Sequence, residues 1–366
     1  MHLNSLSLVN FKNISQVEIS LSQRVNCFIG DNGQGKTNLL DAIYHLGYTK
    51  SFFNSIDSQN IKFDESFYVI QGKVENDADE FSLYCALKRA DKKVFKKNKK
   101  VYKKLADHIG LFPVVMITPY DINLVLEGSE TRRRFLDALI AQFDKNYLQV
   151  LLQYNKLLKQ RNALLKIQNK SISNELMEVY ELQMEDKAHF IYDRRSIFVK
   201  DFIPMFNDFY SDISSNKENV GLNYISALED ATMKEIFRKN RERDNVLSYT
   251  SSGVHRDDLS FTIENNALKK FGSQGQQKTF LIALKLAMFE YIKLKKNITP
   301  ILLLDDIFDK LDDHRVGYIL KLIEKNNLGQ TFITDTSPNK IPDILKNLNV
   351  DHKSFIINEG KAEIQN

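Results

Sequence analysis

Eight residues, Gly30-Asp31-Asn32-Gly33-Gln34-Gly35-Lys36-Thr37, complete the pattern G-x-x-x-x-G-K-T. Their setting gives the spacing its chemistry. The apolar run Val25-Asn26-Cys27-Phe28-Ile29 reads as a strand before the loop, and Leu39, Leu40, Ile43 and Leu46 share one face of a helix after it, with Gly47 as the expected stop. Glycines let the backbone wrap closely, so successive N–H groups aim at phosphate oxygens, and a helix N-terminus adds partial positive charge. The expected nucleotide-binding set is Gly30, Asp31, Asn32, Gly33, Gln34, Gly35, Lys36, Thr37 and Asn38. Lys36 is expected to reach the β- and γ-phosphates of ATP, and the Thr37 hydroxyl to bind Mg²⁺.

Two further segments carry compatible chemistry. Pro300 introduces Ile301-Leu302-Leu303-Leu304-Asp305-Asp306, an unbroken apolar run ending in two acids, which suits a buried central strand with carboxylates at its C-terminal edge. Asp305 is expected to hold Mg²⁺ through water, and Asp306 to orient or deprotonate an attacking water; Lys36 and Asp306 are thus the expected catalytic pair. Phe271-Gly272-Ser273-Gln274-Gly275-Gln276-Gln277 leads into a helix with Phe280, Leu284, Ala287, Met288 and Tyr291 on one face, and Ser273 suits its N-cap. This second cluster of free N–H groups could serve a γ-phosphate. One nucleotide does not need two such loops from one chain, which points to a partner subunit.

The elements that must position these residues belong to a full globular core. The chain has 366 residues, 43% hydrophobic, with 51 Lys+Arg against 47 Asp+Glu, a net charge of +4 that excludes a disordered polyelectrolyte. Cys27 and Cys85 are too few for a disulfide scaffold or a four-cysteine zinc site. The opening residues lack a signal peptide's charged and apolar regions, and no stretch approaches the ~20 apolar residues of a membrane span, so a cytoplasmic location without a membrane partner is expected. The texture divides the chain into three segments. Residues 1–128 alternate strands and loops around the phosphate-binding loop; residues 129–220 hold no glycine, carry leucines at helical spacing and break at 169–174, as an antiparallel helical hairpin would; residues 221–366 return to α/β texture. Charge is also uneven. Lys88 to Lys104 hold ten basic residues and one acid, a net of +9, laid out as a short hairpin with Asn98 in its turn. Such lysines could simply protect an exposed sheet edge, or Lys92, Lys93, Lys96, Lys97, Lys99 and Lys100 could form a ribbon that contacts DNA phosphates.

Taken together, the motifs resemble ABC-type ATPase heads of the structural-maintenance-of-chromosomes and DNA-repair branch, most closely the RecF family of bacterial recombination and repair ATPases. Other segments carry the same resemblance: Asn10-Phe11-Lys12-Asn13, Thr118-Pro119-Tyr120-Asp121, Gly128-Ser129-Glu130-Thr131-Arg132-Arg133-Arg134-Phe135-Leu136-Asp137, Ser252-Gly253-Val254-His255-Arg256-Asp257-Asp258-Leu259, and Leu304 through Asp312. It implies an α/β ATPase head with an inserted, mostly helical lobe. It also implies that Ser273, Gly275 and Gln276 act in trans on ATP held by a second copy, with Asp312 as the aspartate of the dimer interface and Thr334 about where transporters place a switch histidine. ATP would close a homodimer on duplex DNA near single-strand gaps, hydrolyse slowly under DNA stimulation, and with RecO and RecR proteins assist RecA loading in recombinational repair, replication restart and the SOS response.

Four residues depart from the family pattern. Tyr120 stands where an acid is usual, Glu130 where proline is usual and Phe52-Phe53 where His-Arg is expected; no glutamine stands out as a Q-loop residue. Two other readings compete. A transporter-type ATPase subunit would carry Leu-Ser-Gly-Gly-Gln, an Asp-Glu pair and a switch histidine, and a non-hydrolysing DNA scaffold would use ATP only as structural glue.

Overall fold

The computed structural model describes the chain apart from residues 77–78, 168–173, 309–312, 326–327 and 366. Two compact units form: Met1–Asp121 with Lys285–Asn366, and Ile122–Leu284. Compactness therefore divides the chain at 121/122 and 284/285, whereas sequence texture divides it at 128/129 and 220/221. The difference lies in residues 122–128 and, chiefly, 221–284, whose strands pair among themselves and pack with the helical lobe.

The first unit opens with β1 (His2–Phe11), β2 (Ile14–Ser20), β3 (Val25–Ile29), β4 (Phe67–Glu75), β5 (Glu80–Lys88), β6 (Val94–Lys97), β7 (Lys100–Val101) and β8 (Val114–Ile117). The second unit contributes β9 (Val220–Ile225), β10 (Asp258–Ile263) and β11 (Asn266–Ala267) before the chain returns as β12 (Ile301–Leu304), β13 (Thr331–Asp335), β14 (His352–Asn358) and β15 (Lys361–Ile364).

Two sheets build the first unit. One is antiparallel, in the order β2-β1-β4-β5-β6-β7, and β4 and β5 alternate buried and solvent-facing residues as a one-sided sheet requires. The other runs β15-β14-β3-β13-β12-β8, parallel from β14 to β8 and closed by antiparallel β15. Its strands β3, β8, β12 and β13 are buried at every residue, which is why Val25–Ile29 and Ile301–Leu304 read as unbroken apolar runs. Each leucine of β12 contributes about 1.5–3 kcal/mol by burial, and Leu303→Ala would cost about 2–5 kcal/mol. Because β3, β13 and β12 are parallel neighbours, the loops after all three emerge at one edge.

The helix after β3 spans Lys36–Tyr48 and buries Leu39, Leu40, Ile43 and Leu46 completely. It does not stop at Gly47. Thr49 caps it at φ 56°, and Gly47 lies inside, where a Cβ would come within 2.8 Å of the Phe112 carbonyl and a Val114 methyl. That glycine is a close-packing residue rather than a terminator.

In the second unit, helices Ser129–Phe143, Lys145–Leu165 and Asn174–Ser214 accompany the three-stranded sheet β11-β10-β9. Arg161 meets Glu181 at 2.8 Å and Tyr147 meets Arg195 at 3.0 Å, so the two long helices run antiparallel. The break expected at 169–174 falls largely on residues 168–173, outside the described residues. No helix among the described residues is long and apolar enough to cross a membrane.

Candidate nucleotide-binding site

The phosphate-binding loop takes the backbone its glycines allow. Gly30, Gly33 and Gly35 have φ of 155°, 82° and 113°, two of them well inside the region that favours glycine. Asp31, Asn32 and Gly33 are exposed, whereas Lys36 is 4% exposed and lays its stem along the core. Its ammonium donates to the carbonyls of Gly30 (2.7 Å) and Asp31 (3.1 Å), which holds it across the mouth of the loop.

Other elements brace this loop from outside. Asn13, in the turn between β1 and β2, donates to the Gly33 carbonyl (3.2 Å) and accepts from the Asn38 amide (2.7 Å). Lys12 pairs with the buried Asp41 at 2.6 Å, tying the same turn to the helix Lys36–Tyr48. From the C-terminal hairpin, the Glu359 N–H donates to Gln34 Oε1 (2.6 Å) and the Gly360 N–H to the Gln34 carbonyl (2.9 Å). Within the expected set, Gln34 and Asn38 therefore make loop-bracing bonds, and Asn13 joins them as a supporting residue. Its only sequence signal was its place in Asn10-Phe11-Lys12-Asn13.

Across from the loop, the Thr37 hydroxyl donates to Asp305 Oδ1 at 2.8 Å. Strand β13 lies between β3 and β12 and supplies Thr334, whose hydroxyl donates to Asp305 Oδ1 (3.0 Å), with Asp306 Oδ1 (3.2 Å) as a second acceptor. The same oxygen accepts the Asp306 N–H at 2.8 Å. Burial pushes the Asp305 carboxyl above its ordinary range, while hydrogen bonds from Thr37 and Thr334 and the charge of Lys36 pull it back. Asp306 has φ 45°, a conformation that a non-glycine residue adopts when its surroundings impose it. Hard oxygen donors from Thr37 and Asp305, beside a lysine and a curl of backbone N–H groups, are the donor set that a magnesium–triphosphate requires.

Ser273, Gly275 and Gln276 belong to the second unit. Ser273 is exposed at the start of Gln274–Lys296, where its hydroxyl accepts the Gln276 N–H (3.2 Å) and its own N–H donates to Gln276 Oε1 (2.6 Å). This reciprocal pair is a capping box, and the Gln276 side-chain amide also donates to Glu218 Oε1 at 2.8 Å. Gly275 lies in the first turn, and Asp312 lies outside the described residues.

The basic run forms the expected hairpin. Lys97 pairs with Lys100 across a two-residue turn in which Asn98 (φ 48°) and Lys99 (φ 65°) are both left-handed, and Asn98 also bonds to Ser82 of β5. Lys92, Lys99 and Lys100 are exposed, and Lys96 and Lys97 lie over the rings of Tyr84 and Phe81 at 4.9 and 4.5 Å. Lys93 differs. Its ammonium bonds both Asp57 oxygens (2.7 Å) and the Thr49 carbonyl (2.6 Å), so its charge is matched inside the domain and not offered to a phosphate.

Comparison with known proteins agrees with this geometry. The family model described as "RecF/RecN/SMC N terminal domain" matches residues 2–355. The DNA replication and repair protein RecF of Bacteroides thetaiotaomicron is 47% identical over 361 residues, covering 98% of each chain. The chain belongs to the RecF family. RecF of Flavobacterium johnsoniae is likewise 47% identical, over 97% of this chain and 99% of the relative. A solved structure of the recombination mediator RecF with ATP superposes at a TM-score of 0.91, with 31% identity over 100% of this chain and 98% of that one. An Smc head from Pyrococcus furiosus, at 17% identity and a TM-score of 0.56, shares the fold of this RecF-family chain.

Proposed function

We propose that this protein is an ATP-binding DNA replication and repair protein of the RecFOR pathway that closes as a homodimer on duplex DNA near single-strand gaps. The observation that carries the reading is the Thr37–Asp305 contact of 2.8 Å beneath a phosphate loop of the RecF family. Gly30 to Asn38 would cradle ATP, Lys36 would neutralise its terminal phosphates, and Thr37 and Asp305 would hold Mg²⁺. When bound, Mg²⁺ would supply charge neutralisation to the triphosphate. Asp306, pinned by Thr334, would orient the attacking water and accept its proton.

Ser273 and Gly275 would act on ATP bound by the other copy, so hydrolysis would be slow until two heads meet and would reset the clamp. Gln276 and Asp312 would support that interface. The ribbon bearing Lys92, Lys96, Lys97, Lys99 and Lys100 would contact DNA phosphates, and RecO and RecR type proteins would then assist RecA loading in the cytoplasm, in repair, replication restart and the SOS response.

ATP turnover measured with and without gapped duplex DNA tests this reading. Stimulation by DNA, abolished by Lys36→Ala, is the expected result; turnover indifferent to DNA would sink it. Mixing Lys36→Ala with Ser273→Arg protein should restore partial activity, because the mixed dimer keeps one intact composite site.

A further inference from the structure

A cavity of about 320 Å³ in the second unit is lined from helices Ser129–Phe143, Lys145–Leu165 and Asn174–Ser214 and from the turn 254–256. Its charges are unevenly matched. Arg195 is answered by Asp137 at 2.8 Å and Asp257 at 2.9 Å, and Arg134 by Glu130 one helical turn away. Arg133 and Arg256 line the same cavity, yet neither takes part in an ion pair among the described residues. Arg133 donates to the backbone carbonyl of Asp257 at 2.6 Å, and Arg256 lies over the ring of Tyr249 at 5.1 Å.

The surroundings do not relieve this excess. Burial pushes the Arg133 guanidinium below its ordinary range, and Arg195 and Arg256 repel it while Asp257 and Asp258 attract it. His255, also on the wall, accepts from the Tyr154 hydroxyl (2.9 Å) and donates to the Thr250 carbonyl (3.0 Å). Burial first, and then the neighbouring arginines Arg256 and Arg133, lower it to about 4, so it is neutral near pH 7 and supplies no counter-charge. Leu151, Leu158 and Val254 give the cavity an apolar side.

We propose that this cavity binds a small phosphate-bearing molecule, with the phosphate held by Arg133 and Arg256 and the remainder against Leu151 and Leu158. Two unmatched guanidiniums suit a dianion better than a single carboxylate, because each planar fork can bond two oxygens. The volume exceeds that of a bare anion and sits at the small end of ligand pockets. This site shares no residue with the Gly30–Thr37 loop.

Calorimetric titration of the full chain in a Lys36→Ala background tests the proposal, with inorganic phosphate, AMP and acetate as probes at equal ionic strength. AMP should bind more tightly than phosphate, acetate should not bind measurably, and Arg133→Gln or Arg256→Gln should each weaken AMP at least tenfold. Arg256 is exposed, so Arg256→Gln keeps the fold, and an unchanged unfolding midpoint without ligand verifies it. AMP affinity equal in parent and both variants, acetate binding as strong as AMP, or no saturable binding of either phosphate probe would each overturn the assignment.

Discussion

The ring of Phe53 meets that of Tyr120 edge to face, with centroids 5.5 Å apart. These are two of the positions at which the sequence departs from the family pattern, where an arginine and an acid are expected. The two departures are therefore one contact. Lys12 lies over the Phe53 ring at 5.0 Å while pairing with Asp41, so the aromatic face adjoins the turn that braces the phosphate loop. Phe53→Arg alone would set a second cation beside Lys12, and Tyr120→Glu alone would leave an acid against an aromatic edge. Each single change should lower stability, and the double change should recover part of the loss, with a coupling of about 0.5–1.5 kcal/mol. Urea midpoints of the four proteins measure it; additive effects would show that the contact is incidental.

Thr334 should matter to turnover more than to nucleotide affinity. Its hydroxyl accepts the Asp306 N–H and donates towards both carboxylates, which holds Asp306 at φ 45°. Thr334→Val keeps the volume and removes these bonds, so turnover should fall about 10–10²-fold with ATP affinity changed only a few-fold, as loss of a positioned base predicts. Asp306→Asn should fall at least as far. Equal losses in affinity and turnover would assign Thr334 to binding.

The loop glycines should rank by what a methyl group would meet. At Gly30 a Cβ would lie 2.3 Å from the Ile357 carbonyl oxygen, at Gly35 2.9 Å from the Asn13 amide oxygen, and at Gly33 nothing lies within 4 Å. Alanine at Gly33 adds only the strain of φ 82°, about 1 kcal/mol. Unfolding midpoints should therefore drop most for Gly30→Ala, less for Gly35→Ala, whose amide neighbour can yield, and least for Gly33→Ala. A Gly33→Ala protein less stable than Gly30→Ala would contradict this packing.

Local chemistry was legible in the residues and long-range commitments were not. Gly30 to Thr37 announce a backbone shape, and Ile301–Leu304 announce burial, because both are properties of consecutive residues. The capping role of Ser273 follows in the same way. Lys93 misled because its partner Asp57 lies 36 residues away and nothing local distinguishes it from Lys92. Gly47 misled for a related reason: a glycine at the end of a helical pattern reads as a stop, whereas close approach of the Phe112 carbonyl explains it here. The extent of the second unit was hidden because strands β9 and β10, whose texture matches the ATPase lobe, pair with each other there.

The lysine ribbon separates structural from contact charge. Replacing Lys96, Lys97, Lys99 and Lys100 by glutamate should weaken duplex binding and lower the slope of log affinity against log salt by up to about 3–4, at roughly 0.9 per phosphate lost. Lys93→Glu should act differently. It sets an acid against Asp57 and removes the bond to the Thr49 carbonyl, so its effect should be a lower unfolding midpoint. Unchanged binding by the fourfold variant at low and high salt would leave the ribbon as a protected sheet edge.

The base of that ribbon should make the fold sensitive to acid. His108 is fully buried, donates from Nε2 to the Leu46 carbonyl (2.6 Å), accepts at Nδ1 from the Tyr102 hydroxyl (3.2 Å), and packs on Phe95 with centroids 4.5 Å apart. Burial lowers its pKa to about 4, against a partial rise from the Leu46 bond, with Lys97 lowering it further. The unfolded chain therefore takes up the proton first. Its stabilising contribution is complete above about pH 6.5, declines as pH falls towards 4, and amounts to about 2–3 kcal/mol across that window. His108→Gln retains a donor for Leu46 but cannot titrate, so it should lose less stability than the parent between pH 7 and 4.5. Urea midpoints at the two values decide it, and parallel losses in both proteins would place the acid sensitivity elsewhere.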